Sequence, residues 1–193
     1  MRHQAICAAV TLLMTATALE AQDRFSFDVR AVVAAPTSKL AGTELDIGLG
    51  FGGTLAFRMQ PHLHLYGGWD WQQFPAEQSF AGAKVDFEET GYTLGLRFEH
   101  PFRETSGLAY RLEGGVTYKH IEAENEGGDL LTDSDHGAGF EAGAGLLTPL
   151  GKSFSLATTL RYRTLNRDFV VGSATSSGTL QYVGLEIGVT RRF

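Results

Sequence analysis

The sequence predicts an all-β protein, an eight-stranded antiparallel up-and-down transmembrane β-barrel preceded by a cleaved signal peptide. Three observations point there. Apolar residues recur with period two along most of the chain, charged residues fall at the alternate positions, and the connections alternate between short and long. Period two separates the two faces of a strand, whereas a helix would scatter both sets around its circumference.

The N-terminus reads as a leader. Arg2 and His3 precede an apolar run from Ala5 to Leu19, and Ala21 supplies a small residue for cleavage, with Ala18 as a second choice. This is the pattern of a secretory signal peptide, and the run is too short and weakly apolar for a good spanning helix. The division is therefore 1–21 signal peptide and 22–193 barrel. Cys7, the only cysteine, lies in the leader, so the mature chain enters an oxidising compartment without a thiol.

The clearest strand is Glu44 to Arg58. Leu45, Ile47, Leu49, Phe51, Leu55 and Phe57 share one face, while Asp46, the alternating glycines and Arg58 share the other. Strand one covers Arg24 to Ala34, with Asp28 and Arg30 on its polar face. Strand three covers His62 to Gln73, with His64, Tyr66 and Asp70 opposite Trp69 and Trp71. Strand four covers Phe87 to Glu99; Phe87 breaks its parity, which predicts a bulge or a rim outside the membrane. Strands five and six run Leu108 to Ile121 and Ala138 to Thr148, and strands seven and eight Ser153 to Leu165 and Gln181 to Phe193. Tight turns fall at Met59-Gln60-Pro61 and Pro149 to Lys152, and a moderately short one at His100 to Gly107. Longer polar loops fall at Pro36–Thr43, Pro75–Lys84, Glu122–Gly137 and Asn166–Gly178. Short turns on one side and long loops on the other put both termini at the short-turn, periplasmic end.

A soluble barrel and a membrane barrel share this alternation but differ in which face is wet. Overall composition, 43% hydrophobic and 20% charged, fits either. The polar rows carry charge at mid-strand, and the candidate lumen ion-pair residues are Asp46, Arg97, Arg111, Glu113, Glu141, Arg161, Arg163 and Glu186. Small residues around them leave room for such side chains inside a narrow barrel. Expected pairs join Arg97 or Arg111 to Glu113, and Arg161 or Arg163 to Glu141 or Glu186, because buried charge needs a partner.

Aromatic residues sort by level. Phe57, Phe98, Tyr110 and Phe154 fall toward the turn end of the apolar face, and Trp69, Trp71, Tyr92, Tyr118 and Tyr162 toward the loop end. The eight steps from Tyr110 to Tyr118 span roughly 20 Å at a rise of ~3.3 Å and a tilt near ~40°. Two aromatic girdles at the edges of an apolar band are the expected meaning.

The last strand ends Glu186-Ile187-Gly188-Val189-Thr190-Arg191-Arg192-Phe193. A polar residue, Gly188 two positions later and a terminal Phe193 resemble the C-terminal signal of bacterial outer-membrane proteins. Arg191 departs from the usual apolar residue there; at the rim it can snorkel to headgroups. The chain from Asp23 onward resembles the small OmpA/OmpX-type barrels of the outer membrane protein β-barrel domain family. The resemblance implies the bacterial outer membrane, with lipid and lipopolysaccharide around the barrel and the barrel assembly machinery as partner during biogenesis.

No catalytic constellation stands out. Ser134, Asp135 and His136 are adjacent, but consecutive strand residues point to opposite faces and cannot bond in series. His62 and His64 have chelating spacing without further ligands, and Asp133-x-Asp135-x-Gly137 matches only the start of a calcium loop. No cofactor or metal is expected, and the acidic balance, net −6, excludes nucleic acid as a natural partner. The expected role is structural or interactive: a monomer with a plugged, charged lumen and long extracellular loops. A narrow porin-like channel and a lipid A- or phospholipid-modifying barrel enzyme are the alternatives.

Overall fold

The computed structural model describes residues 24–103, 107–171 and 173–193. The expected leader, with Cys7, lies outside them. The described strands are β1 (Phe25–Pro36), β2 (Gly48–Gln60), β3 (Leu63–Ser79), β4 (Gly82–Pro101), β5 (Ala109–Asn125), β6 (Leu130–Asp133), β7 (Gly137–Pro149), β8 (Phe154–Val171) and β9 (Ala174–Arg192). Each barrel strand pairs antiparallel with its neighbour in the order β1-β2-β3-β4-β5-β7-β8-β9, and β9 returns to β1, closing a ring of eight strands. The short β6 adds to the edge of β5 beyond the point where β7 leaves it.

Along the half nearest the termini, alternation works as a membrane requires. Leu94 and Ile187 are 56% and 52% exposed on the outer face, whereas Arg97 and Glu186 are 2% and 5% exposed inside. Glycine makes room for this interior. A Cβ on Gly95 would lie 2.7 Å from the Tyr66 ring, and one on Gly52 2.6 Å from the Asp70 Cβ. Any larger residue would displace the side chains that fill the lumen.

Nearer the loops the rule inverts. Phe74, Phe87, Ile121, Phe169 and Leu180 are fully buried inside, joined by Leu40 from the β1–β2 connection. Polar residues such as Glu77, Asn166 and Asp168 face outward there. This is how a barrel in water is arranged: an apolar core within and polar groups without.

The inversion accounts for two departures from the sequence reading and decides between the bulge and the rim expected at Phe87, in favour of the rim. Phe87 causes no bulge, because pairing runs unbroken through Phe74↔Phe87 and Phe87↔Ala123, and its ring belongs to the loop-end core. Leu45 turns inward and Asp46 is exposed, donating its backbone N–H to the Pro75 carbonyl, so Asp46 is not a lumen residue. Three expected loops are largely strand: β3 and β4 run on to a tight turn at Phe80-Ala81, β8 and β9 extend to Val171 and Ala174, and β5 continues to Asn125 before folding back as β6. The 37–47 connection stays irregular. It folds through a bridge at Leu40↔Thr43, with Ala41 and Gly42 in the left-handed region.

Candidate functional site: a charged lumen with two differing ends

Ionised side chains from β1, β3, β4, β5, β7, β8 and β9 meet inside the barrel and form one continuous network. At the turn end Arg111 lies 2.8 Å from Glu99 and 3.3 Å from Asp28, and Arg97 joins Asp28 (2.6 Å) to Glu113 (2.5 Å). At the centre Arg161 touches Glu113 (2.5 Å), Glu141 (2.6 Å) and Glu186 (2.8 Å). Toward the loops Arg163 binds Glu141 (2.6 Å) and Asp70 (2.9 Å), while Lys119 bridges Asp70 and Glu89. Tyr66 donates to Glu141, and the Arg163 guanidinium donates to the Tyr182 hydroxyl. Arg30 completes the set against Asp70 and Glu186.

Charge balances in this string. Arg30, Arg97, Arg111, Lys119, Arg161, Arg163 and the mouth residue Arg192 face Asp28, Asp70, Glu89, Glu99, Glu113, Glu141 and Glu186, seven against seven. Multiple partners per guanidinium satisfy the fork geometry that makes arginine suited to buried carboxylates. Of the expected residues, Arg97, Glu113, Arg161, Glu141, Arg163 and Glu186 come together. Arg111 turns to Glu99 and Asp28 instead of Glu113. Asp46 takes no part. Asp28, Arg30, Asp70 and Lys119 stand on the polar rows of the sequence without a motif to mark them. Glu89 and Glu99 continue the parity of β4, and that parity is the signal by which sequence reasoning could have found them.

The packed interior leaves little space. The gap beside Asp28, Arg97, Arg111 and Arg161 measures about 10 Å³, the size of one water. Outside it, at the turn end, a vestibule of about 300 Å³ opens between Ser26, His64, Glu99 and Arg192. His64, buried, and His62 both line it, and the His62 ring packs 4.6 Å from that of His100.

These strands, their closure and their outward apolar band are matched in sequence. The outer membrane protein beta-barrel domain matches residues 5–193. The chain belongs to this family. Its fold recurs in the crystal structure of Neisserial surface protein A, with TM-score 0.65 and 16% identity over 88% of this chain and 97% of that one. The solution structure of the Escherichia coli outer membrane protein W gives TM-score 0.57 at 13% identity, covering 89% of this chain and all of the other, 100%. The Pseudomonas aeruginosa protein OprG gives 0.56 at 14%, covering 89% and 97%. No curated protein sequence matches the chain. Membership of the outer-membrane barrel family places the protein in the bacterial outer membrane.

On this outer-membrane barrel the expected girdle residues all lie on the outer face. Trp69, Tyr92 and Tyr118 are register partners across β3, β4 and β5, and Trp71 donates its indole N–H to Glu88. Phe154 opens β8 and Tyr162 lies midway along its outer face, and Phe57 packs on Phe25. Phe98 and Tyr110 cluster with His100 near the turn end. At the C-terminus, Gly188 pairs with Arg30 and Phe193 donates its backbone N–H to Phe25, with the Arg191 guanidinium over its ring.

Above Tyr118 the outer face becomes acidic. Glu88, Glu122 and Asp133 are register partners on β4, β5 and β6. Partial loss of water around Glu124, together with the carboxylates of Glu88, Glu122 and Asp86, pushes its pKa above the ordinary glutamate value. Ser134 is buried and accepts the Ile121 N–H, while His136 stacks on His120, so these two neighbours face different partners. Thr132 donates to the Val170 carbonyl, tying β6 across the barrel end to β8.

Proposed function

We propose that this outer-membrane barrel serves a structural and interaction role, with a closed lumen and an outward-facing loop end, and with both termini in the periplasm. The observation that carries this reading is the unbroken ion-pair string from Glu99 to Glu89. A wide aqueous path would hydrate these groups separately; here Arg30, Arg97, Arg111, Arg161 and Arg163 each already hold two or more carboxylates. The extended, polar-faced hairpins β3–β4, β5–β6 and β8–β9 rise beyond the aromatic level and supply a presentation surface. Gly188 and Phe193 are the residues we assign to the assembly signal. The exposed Tyr92, Tyr118 and Tyr162 are assigned to the upper girdle, at the level of lipopolysaccharide headgroups.

Planar-bilayer recording on the purified protein tests the closed lumen. The expected result is no large, steady conductance, and Arg161→Ala is expected to admit more current than the parent. Steady large openings in the parent protein would overturn the reading. The turn-end vestibule favours a second reading, a narrow channel gated by rearrangement of Arg97 and Arg111 at its floor.

A further inference from the structure

We propose that His120, Glu122 and Asp133 form a binding site for one divalent transition-metal ion of the zinc type, which fastens the β6 hairpin to the barrel. The three donors come from two paired strands. His120 and Glu122 are two residues apart on the outer face of β5, and Asp133 is the register partner of Glu122 on β6. Their ligand atoms lie within 4.8 Å of one another. The His120 Nδ1 is 3.0 Å from the Asp133 carboxylate and 3.7 Å from that of Glu122. Tetrahedral ligands about 2.0–2.1 Å from zinc stand roughly 3.3 Å apart, which those two separations bracket. One imidazole and two carboxylates leave a fourth position for water or an anionic oxygen.

Two further features favour an ion here. The imidazole is already oriented, because its ring stacks on His136 with centroids 4.2 Å apart and planes 13° from parallel, and His136 in turn lies against Tyr118. Carboxylates are also aligned against each other. Glu88, Glu122 and Asp133 are direct cross-strand neighbours, a placement in which like charges repel. A cation at His120 relieves that repulsion, and its imidazole ligand selects a borderline metal over the oxygen-preferring calcium.

The test is calorimetric titration of untagged, purified protein in detergent micelles with zinc chloride, accompanied by amide exchange of Leu130–Asp133. The expected result is one saturable equivalent and slower exchange of those amides. His120→Ala and Asp133→Asn are each expected to weaken binding by at least ~10-fold. The double variant His62→Ala/His100→Ala at the opposite end is expected to leave it unchanged. Absence of a saturable equivalent would overturn the proposal. So would affinity indifferent to both His120→Ala and Asp133→Asn, or calcium displacing zinc at equal concentration.

Discussion

The two halves of this barrel are built on opposite rules. From Phe25 to about Arg30, and at the same height on the other strands, the interior is ionic and the exterior apolar. A few residues further along the same strands, Ala34, Phe74, Phe87, Ile121, Phe169 and Leu180 fill an apolar interior and the exterior turns polar. Three of the strands, β3, β4 and β8, run through both halves with unbroken pairing. What changes is the solvent outside. Where it is hydrocarbon, apolar side chains gain nothing by turning inward and the polar ones must find each other. Where it is water, the hydrophobic effect packs the core in the usual way.

Breaking the ionic half should cost most. Arg161→Ala takes one guanidinium from each of three carboxylates in a closed interior, leaving Glu113 to Arg97, Glu141 to Arg163 and Glu186 to Arg30. The expected destabilisation is about 3–5 kcal/mol, measured by denaturant unfolding from lipid vesicles. A smaller loss distinguishes the two exteriors. Leu94→Arg, between Tyr92 and Phe98 on the apolar outer face, should cost about 2–4 kcal/mol in the same assay. Thr175→Arg, exposed on the polar outer face of β9, should stay within about 0.5 kcal/mol. Equal costs at the two positions would erase the distinction between the halves.

A milder probe reads the apolar half directly. Ile121→Val removes one methylene from a fully buried site and should cost about 1 kcal/mol, without any change in bilayer conductance. The smallest effect concerns acidity at the outer edge. The folded protein holds the Glu124 proton more tightly than the unfolded chain does. That contribution is therefore full below the ordinary glutamate pKa and is lost as pH rises through the raised value. Amides of β6, corrected for intrinsic exchange, should be better protected at pH 4 than at pH 7, and Glu124→Gln should narrow the difference.

Much of the ionic half is legible in the sequence because a two-residue period with charge on one row fits little besides a strand with one wet face. Arg97, Glu113, Arg161 and Glu186 belong to the lumen by parity alone. Parity gives a face but not a partner: it leaves Arg97 and Arg111 as equal candidates for Glu113, and the fold gives Glu113 to Arg97 while Arg111 reaches Asp28 across the barrel. The apolar half is misread when one inside-outside rule is applied along whole strands. Under that rule Phe87 is an error in β4, Leu45 and Asp46 exchange faces, and polar outward rows at 166–178 pass for loop. The His120 cluster is hidden for another reason: Asp133 reaches it only through the fold-back of β6, which sequence spacing does not reveal.

The seam between first and last strands has a consequence for timing. β1 and β9 are the first and last barrel strands along the chain, yet Asp28 reaches Thr190 and Arg30 reaches Glu186 across it. Until β9 pairs with β1, the folding sheet is an open ribbon with two bare margins, each ready to pair with a stranger. Contacts so distant along the chain form slowly. Such a ribbon needs shelter from its own kind until the last strand zips the cylinder shut.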